Sequence, residues 1–350
     1  MADDGPTKQS QWQKLIDYIL GYQATWIADI GVKTGLFQAI VEAGASGIHE
    51  GPLARRLSFD ARYTGVWCRG AYAFQFLDWD RAKGYRLAPH MQSLLLNEED
   101  TQFLGGRIQF NAALYQDFQA FPKYLPTGET WPRSDHDPWL LEALKNMTKP
   151  DCTVISDHVL PQAPGTLARL KKGGAILDIG AGAGFAIVHY ATRFPASRVV
   201  GLENDDASVD LARAAVLEAG LAGRVQVRNA DANSMDYDNA FDLVTMNVTL
   251  HEVGGPQDYL NVLSKALRAL RIGGVLVVSE LPYPDSTASY RDNPVYQMMA
   301  GVQLHEALVG CGMITQGQLR DLLVEAGFRN VRVADQPLAT RFMMLAEKDG

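Results

Sequence analysis

From residue 174 onward, short apolar runs alternate with longer amphipathic stretches. The runs are "AILDIG" (175–180), "RVVGLE" (198–203), "RVQVRN" (224–229), "FDLVTMN" (241–247) and "GGVLVVSE" (273–280). Between most of them lie segments with helical spacing: "GFAIVHYATRF", "DASVDLARAAVLEAG" and "PQDYLNVLSKALRAL". Strand alternating with helix predicts a parallel sheet covered on both faces. The end of the chain differs. A helix at "TQGQLRDLLVEAGF" precedes "NVRVADQP" and "RFMMLAEK", with only a short turn between the two strands. Parallel neighbours need a long crossover, so the last strand is expected to run antiparallel to its neighbour.

The first hundred residues carry another pattern. Residues 11–45 have helical periodicity, with Trp26, Ile27, Ile30, Leu36 and Ile40 spaced for one buried face. Residues 51–90 predict a short helix near Leu53–Leu57, a turn at 58–60 and a longer helix to about Phe76. Two short strands follow, "FLDWD" and "YRLAP", joined across "RAKG". Helix, turn, helix and hairpin together predict a winged helix. Its second helix offers Arg62 and Arg69 against Tyr63, Trp67, Tyr72 and Phe74. A recognition helix needs exposed polar side chains to reach base edges. An aromatic helix is expected to pack on a partner subunit or on the second domain.

Residues 98–165 are less regular. Helical segments near 106–121 and 138–147 flank "PKYLPTGETWPRSDHDPW", a stretch of the kind that forms lids or plain connectors. The domain reading is therefore 1–97 (winged helix), 98–170 (bridge and candidate lid) and 171–350 (the α/β domain). Composition narrows the function classes. A net charge of −8 over 350 residues argues against nucleic acid as the main partner. Cys68, Cys152 and Cys311 lie far apart and form no CxxC pair, which fits a reducing compartment and neither disulfides nor a zinc site. "MADDGPTKQS" lacks the order of a signal peptide, and no run approaches the ~18 apolar residues of a membrane span. A soluble cytoplasmic protein is expected.

The chemistry concentrates at "ILDIGAGAGFAIVHYA" (176–191). In an open parallel sheet, ligands bind beyond the carboxyl ends of the strands, where this loop falls. Gly180, Gly182 and Gly184 permit positive φ and close backbone approach, and a helix N-terminus favours negative groups. There is no Lys or Ser/Thr to complete a phosphate loop of the GxxxxGK(S/T) type. The spacing is GxGxG rather than the dinucleotide GxGxxG, and Asp178 would repel a pyrophosphate. A cofactor with positive charge or many donors suits it better. Glu203 ends the second strand at the spacing for ribose hydroxyls, and Asp231 follows the third with the means to accept from an adenine amino group. Three acids after successive strands line one crevice.

On these motifs the chain resembles the class I S-adenosylmethionine-dependent methyltransferases over roughly residues 170–349. The resemblance implies a Rossmann-like, seven-stranded α/β sheet with its last strand antiparallel, and S-adenosylmethionine as cofactor. It implies that Gly180 and Gly182 face the methionine part and that Asn247 lies near it. Asp178 would shape the loop, Glu203 bind ribose, and Asp231 with Ala232 frame adenine. The N-terminal part resembles the dimerisation domain of bacterial and plant small-molecule methyltransferases, which implies a homodimer and a small-molecule acceptor.

The acceptor is less marked. "MNVTLHEV" puts His251 and Glu252 just beyond the fourth strand, where plant-type O-methyltransferases carry a His-Asp pair with the His as base; here Glu replaces that Asp, and "LHE" also occurs in methyltransferases whose His is only structural. A hydroxyl acceptor needs such a base; a thioether has no proton to lose. Arg291 is a candidate for an acceptor carboxylate, and Tyr296 and Met299 for the site wall. Tyr115, Tyr124 and Trp131 are candidates to close over a sulfonium, with core packing as the alternative for each. His305 reads as a helix-face residue. No carboxylate cluster for a catechol-type metal site appears after the fourth strand, and no metal is expected. The overall layout and "YQATWIADIGVKTGLF" (22–37) look most like the bacterial methylthiohydroxybutyrate S-methyltransferases of dimethylsulfoniopropionate synthesis, with a carboxylate-bearing acceptor. An O-methyltransferase using His251 is the alternative, and a winged-helix cofactor sensor the third reading.

Overall fold

The computed structural model describes residues 5–131, 135–137 and 139–349, the last without the side chain of Leu141. They form two compact units, Met1–Ala113 and Leu114–Gly350. The stretch 98–170 is divided between them. The lid expectation falls partly on 132–134 and 138, which lie outside the described residues.

The first unit runs α1 (Lys8–Lys33), α2 (Leu36–Glu42), α3 (Glu50–Leu57), α4 (Ala61–Ala73), β1 (Leu77–Asp80), β2 (Gly84–Leu87), α5 (Met91–Leu96) and α6 (Gly105–Ala113). The helix-turn-helix and hairpin stand where their patterns put them. Asp60 caps α4 by accepting from the Tyr63 N–H, and Asp80 closes the hairpin by accepting from the N–H groups of Ala82 and Lys83. The single face expected over 11–45 is not one face. Gly35, at φ 74°, breaks the run into two helices and resets the phase. Leu36 and Ile40 are buried on α2, whereas Ile30 on α1 is 41% exposed. Trp67 enters this core and its indole N–H donates to the Ile27 carbonyl at 2.9 Å. Trp12, Leu15, Tyr18, Ile19 and Tyr22 on α1 are exposed in the single chain, as are Tyr63, Val66 and Tyr72 on α4.

The second unit begins with α7 (Tyr115–Tyr124), α8 (Trp139–Val154) and α9 (Pro164–Lys171). The segment expected as one helix near 106–121 is thus two, α6 and α7, on either side of Leu114. Then come β3 (Ala175–Ile179), α10 (Phe185–Arg193), β4 (Arg198–Glu203), α11 (Asp206–Glu218) and β5 (Val225–Asn229). β6 (Phe241–Asn247), α12 (Pro256–Ala269), β7 (Leu270–Glu280), α13 (Pro294–Val309), α14 (Gln316–Glu325), β8 (Arg329–Val333) and β9 (Phe342–Glu347) complete it.

The seven strands lie in the order β5-β4-β3-β6-β7-β9-β8. β3 to β7 are parallel, and β9 is antiparallel to both β7 and β8, as the short connection before it requires. Alternate residues feed two cores. Ile176, Leu243 and Val277 pack with Ile187, Tyr190 and Ala212 of α10 and α11. Leu177, Val244 and Val278 pack with Val262, Leu263, Leu319 and Leu323 of α12 and α14. Because β4 and β6 flank β3 on opposite sides, the order reverses at β3 and opens a crevice at its carboxyl end. Among the described residues, no helix is long and apolar enough to cross a membrane.

The amino end of the sheet is pinned by Asp242. Its buried carboxylate accepts from the Ala175 N–H at 2.9 Å, from Arg169 Nε at 2.8 Å and from Arg271 Nη1 at 2.7 Å. One side chain therefore ties β3, α9 and β7 to β6. Asp242→Ala is expected to cost about 3 kcal/mol or more, since it leaves a buried N–H and two guanidinium groups without their acceptor. Asp242→Asn, which still accepts from Ala175, should cost less. Urea denaturation of the three proteins measures both differences.

Candidate active site

The crevice is built at the carboxyl ends of β3, β4 and β6. Asp178 is in the sheet rather than on the loop surface: it is buried, and Thr245 of β6 donates its hydroxyl to Oδ1 at 2.6 Å. Burial pushes its carboxyl up to about 7, against the pull of that hydrogen bond. A side chain there shapes the loop from beneath. Gly180 runs so close to Thr249 that a Cβ would fall 2.4 Å from Thr249 Cγ2 and Oγ1. Gly182, at φ 50°, has the opposite surroundings: an added Cβ would meet nothing within 4 Å, so the loop faces open space there.

Glu203 is the organiser of this rim. Its Oε2 accepts from the Gly182 N–H at 2.8 Å, and its Oε1 from the N–H groups of Asn204 and Asp205 at 2.9 and 3.0 Å. Three backbone amides thus fix the carboxylate and couple it to the glycine loop. Asp231 starts the turn 232–234, accepting from the Asn233 N–H at 2.8 Å, with Ala232 beside it. At the end of β6, Asn247 pairs in register with Ser279 of β7. Asn247 Oδ1 and Ser279 Oγ are both buried without a hydrogen-bond partner among the described residues. Orphaned polar atoms at strand ends mark a place where a polar ligand is expected.

Immediately beyond, Val248 adopts φ 53°, a left-handed conformation unusual for a β-branched residue, and its N–H donates to the Ser279 carbonyl at 2.8 Å. This turn delivers residues 250–252 onto the end of β7. His251 is 2% exposed. Its Nδ1 lies 2.8 Å from Glu280 Oε2, and its Nε2 lies 3.6 Å from Glu306 Oε2 on α13 and 3.9 Å from Glu252 Oε1. Burial by itself would lower the imidazole pKa. Glu280, through charge and hydrogen bond, then Glu306 and Glu252, overcome this and hold it at about 10. The Tyr259 hydroxyl and the Gly312 N–H approach the His251 carbonyl at 3.4 and 3.0 Å.

The partner of the ring Nδ1 is therefore Glu280, not the adjacent Glu252, which is the most distant of the three acids. The signal for Glu280 was present, since "VVSE" ends the strand parallel and next to the one preceding His251. Glu306 carried no such mark. The surroundings of the other candidates are as follows. Arg291 is exposed and makes no ion pair among the described residues. Tyr296 is partly buried, its N–H capped by Asn293. Met299 is fully buried, and Tyr115 is 37% exposed. Trp131 stacks on His136, with ring centroids 4.0 Å apart. His305, read as a helix-face residue, is buried and bonded to Asp117.

Comparison with known proteins bears on the fold and the reaction class. Residues 170–327 match the family described as a methyltransferase domain. The ubiquinone/menaquinone biosynthesis C-methyltransferase of Ectopseudomonas mendocina is 29% identical over 187 residues, 47% of this chain and 69% of that protein. Among solved structures, human N-acetylserotonin methyltransferase in complex with S-adenosylmethionine superposes with a TM-score of 0.70 at 16% identity, over 100% of both chains. An O-methyltransferase family protein from Burkholderia thailandensis gives 0.69 at 16% identity, over 99% of both chains. At these identities the structures establish the shared fold, an α/β sheet with antiparallel last strands and a helical N-terminal part. The protein is an S-adenosylmethionine-dependent methyltransferase, and its residues 170–327 match the methyltransferase-domain family.

Proposed function

We propose that the enzyme O-methylates a small hydroxylated metabolite, with His251 as the base. The observation that carries this reading is the set of carboxylates around one imidazole: Glu280 on Nδ1, and Glu306 and Glu252 near Nε2. Methylation of a hydroxyl releases a proton, which the neutral form of this imidazole would take and the carboxylates around it would then stabilise. Methylation of a thioether releases none. An acceptor bearing its own carboxylate, as methylthiohydroxybutyrate does, would also meet Glu306 and Glu252 as like charges. The thioether acid is for that reason the less favoured acceptor.

The residues at the crevice fit the cofactor. Gly182 leaves room on the loop, Glu203 presents an oriented carboxylate to ribose, Asp231 and Ala232 stand where adenine is framed, and Asn247 offers an orphaned oxygen. Bound there, S-adenosylmethionine supplies a methyl group on a cationic sulfur. Alignment is the remaining task, and His251 performs it by holding the acceptor oxygen at Nε2 while Glu280 fixes the ring and its tautomer.

Three outcomes are expected. Glu203→Ala should weaken S-adenosylmethionine binding by about 1.5–3 kcal/mol, the contribution of charge-assisted hydrogen bonds, as read by calorimetry. His251→Gln should lower the rate on a hydroxyl acceptor by about 10²–10⁴. Because only the neutral imidazole accepts a proton, the wild-type kcat/KM should rise with pH, and its acidic limb should lie above the ordinary histidine value near ~6.5. Glu280→Gln removes the acid that most favours the protonated ring, so the limb should move to lower pH. A pH-independent rate that survives His251→Gln would instead point to a thioether acceptor.

The exposed apolar side chains of α1 and α4 support a second element, a homodimer formed through the first unit. Exposed apolar side chains in this number on two helices are the kind that a partner surface covers. Light scattering at micromolar concentration should give the dimer mass. Tyr18→Glu combined with Ile19→Glu should shift it to the monomer.

A further inference from the structure

Outside the His251 site, the second unit buries another set of titratable groups. Asp117 of α7 is fully buried, and its Oδ1 lies 3.1 Å from His136 Nε2 and 3.1 Å from His305 Nδ1 of α13. The three donor atoms all lie within 4.8 Å of one another. Both rings are turned to the same carboxylate oxygen. The other oxygen, Oδ2, is buried and has no hydrogen-bond partner among the described residues. Two imidazoles crowding one oxygen while its twin is left unsatisfied is an uneconomical hydrogen-bond arrangement. It is an ordinary arrangement of ligands around an ion.

We propose that Asp117, His136 and His305 bind one divalent transition-metal ion, zinc(II) in the first instance. The set is two nitrogens and one oxygen, which suits zinc with a fourth position left for water. Zinc bonds of about 2.0–2.2 Å place tetrahedral ligands roughly 3.4 Å apart, close to the separations seen. One carboxylate and two neutral imidazoles carry −1, so a divalent ion leaves the buried set at +1, which a hydroxide in the fourth position would neutralise. Binding requires each ring to carry its proton on its other nitrogen, Nδ1 of His136 and Nε2 of His305, and Asp117 to stay ionised. The Trp131 ring lies against His136, tilted by 32°, and its backbone N–H donates to the Leu308 carbonyl of α13 at 2.6 Å.

The consequence for the enzyme is positional. His305 precedes Glu306, so an ion on His305 anchors the turn of α13 that brings Glu306 to His251. The test uses the full-length protein, stripped by chelator and then equilibrated with zinc chloride or cobalt chloride. Elemental analysis should find one zinc per wild-type chain. Affinity should fall by at least about 10–100-fold in His136→Gln and in Asp117→Asn, since loss of even an outer-shell partner costs that much. Zinc should raise the Tm of the wild type and not of the variants. The cobalt form should show the strong visible absorption of a four-coordinate site. His251→Gln should keep its full equivalent, which separates this site from the carboxylates around His251. His136→Gln serves where Asp117→Asn does not fold, as circular dichroism reports. A wild type that holds no more zinc than His136→Gln, or loss of zinc in His251→Gln alone, would overturn the proposal.

Discussion

The contact on which the site depends is the 2.8 Å pairing of His251 Nδ1 with Glu280 Oε2. Both side chains are 2% exposed, and neither charge has water to solvate it. A buried ion pair repays its desolvation only when the geometry is good and the remaining valences are met. Here the geometry comes from the sheet. β6 and β7 run parallel in register from Leu243 to Asn247, which puts the end of β7 beside the turn that carries His251. Glu280 Oε1 also lies 3.4 Å from the His251 N–H, so one carboxylate holds backbone and ring together. The left-handed Val248 is the strain that this arrangement accepts, at about 1–3 kcal/mol.

The cofactor rim follows the same logic with less burial. Glu203 spends its oxygens on three backbone amides, one of them from the glycine loop. Its carboxylate is therefore placed before any ligand arrives, and the ordering cost is met during folding rather than during binding. Asp178, one layer down, is buried and is held by Thr245 across the β3–β6 pair. Two acids on the neighbouring strands β3 and β4 thus do different work. One supports the loop, and the other faces the crevice.

Much of the fold was legible because its signals are local. Strand and helix periods, the short β8–β9 connection and the GxGxG loop each depend on a few neighbouring residues. The placement of Glu203 at a strand end and of Asp231 just after one was legible for the same reason: strand ends in a parallel sheet all open on one side. What sequence reading missed depends on packing between distant segments. Glu306 reaches His251 only through the placement of α13. Asp117 and His305 meet although 188 residues separate them. The phase slip at Gly35 was also hidden, because Leu36 and Ile40 continue the helical spacing of α1 in sequence though not in space.

Adjacent residues on a helix point about 100° apart, so His305 and Glu306 must face different neighbours. The first is bonded to Asp117 and the second stands near Nε2 of His251. α13 is thereby fixed by polar contacts on two faces, in addition to the buried Met299, Val302 and Leu308. A rotation that relaxed one contact would strain the other, since each partner belongs to a different element. The separation of Glu306 from the imidazole is then set by the whole helix and not by a single side-chain rotamer. At 3.6 Å it is longer than a good hydrogen bond yet short enough for charge to act. Under the proposed chemistry this spacing has a use. It leaves Nε2 without a close competing carboxylate while keeping a negative charge nearby to stabilise the ring once it has taken a proton.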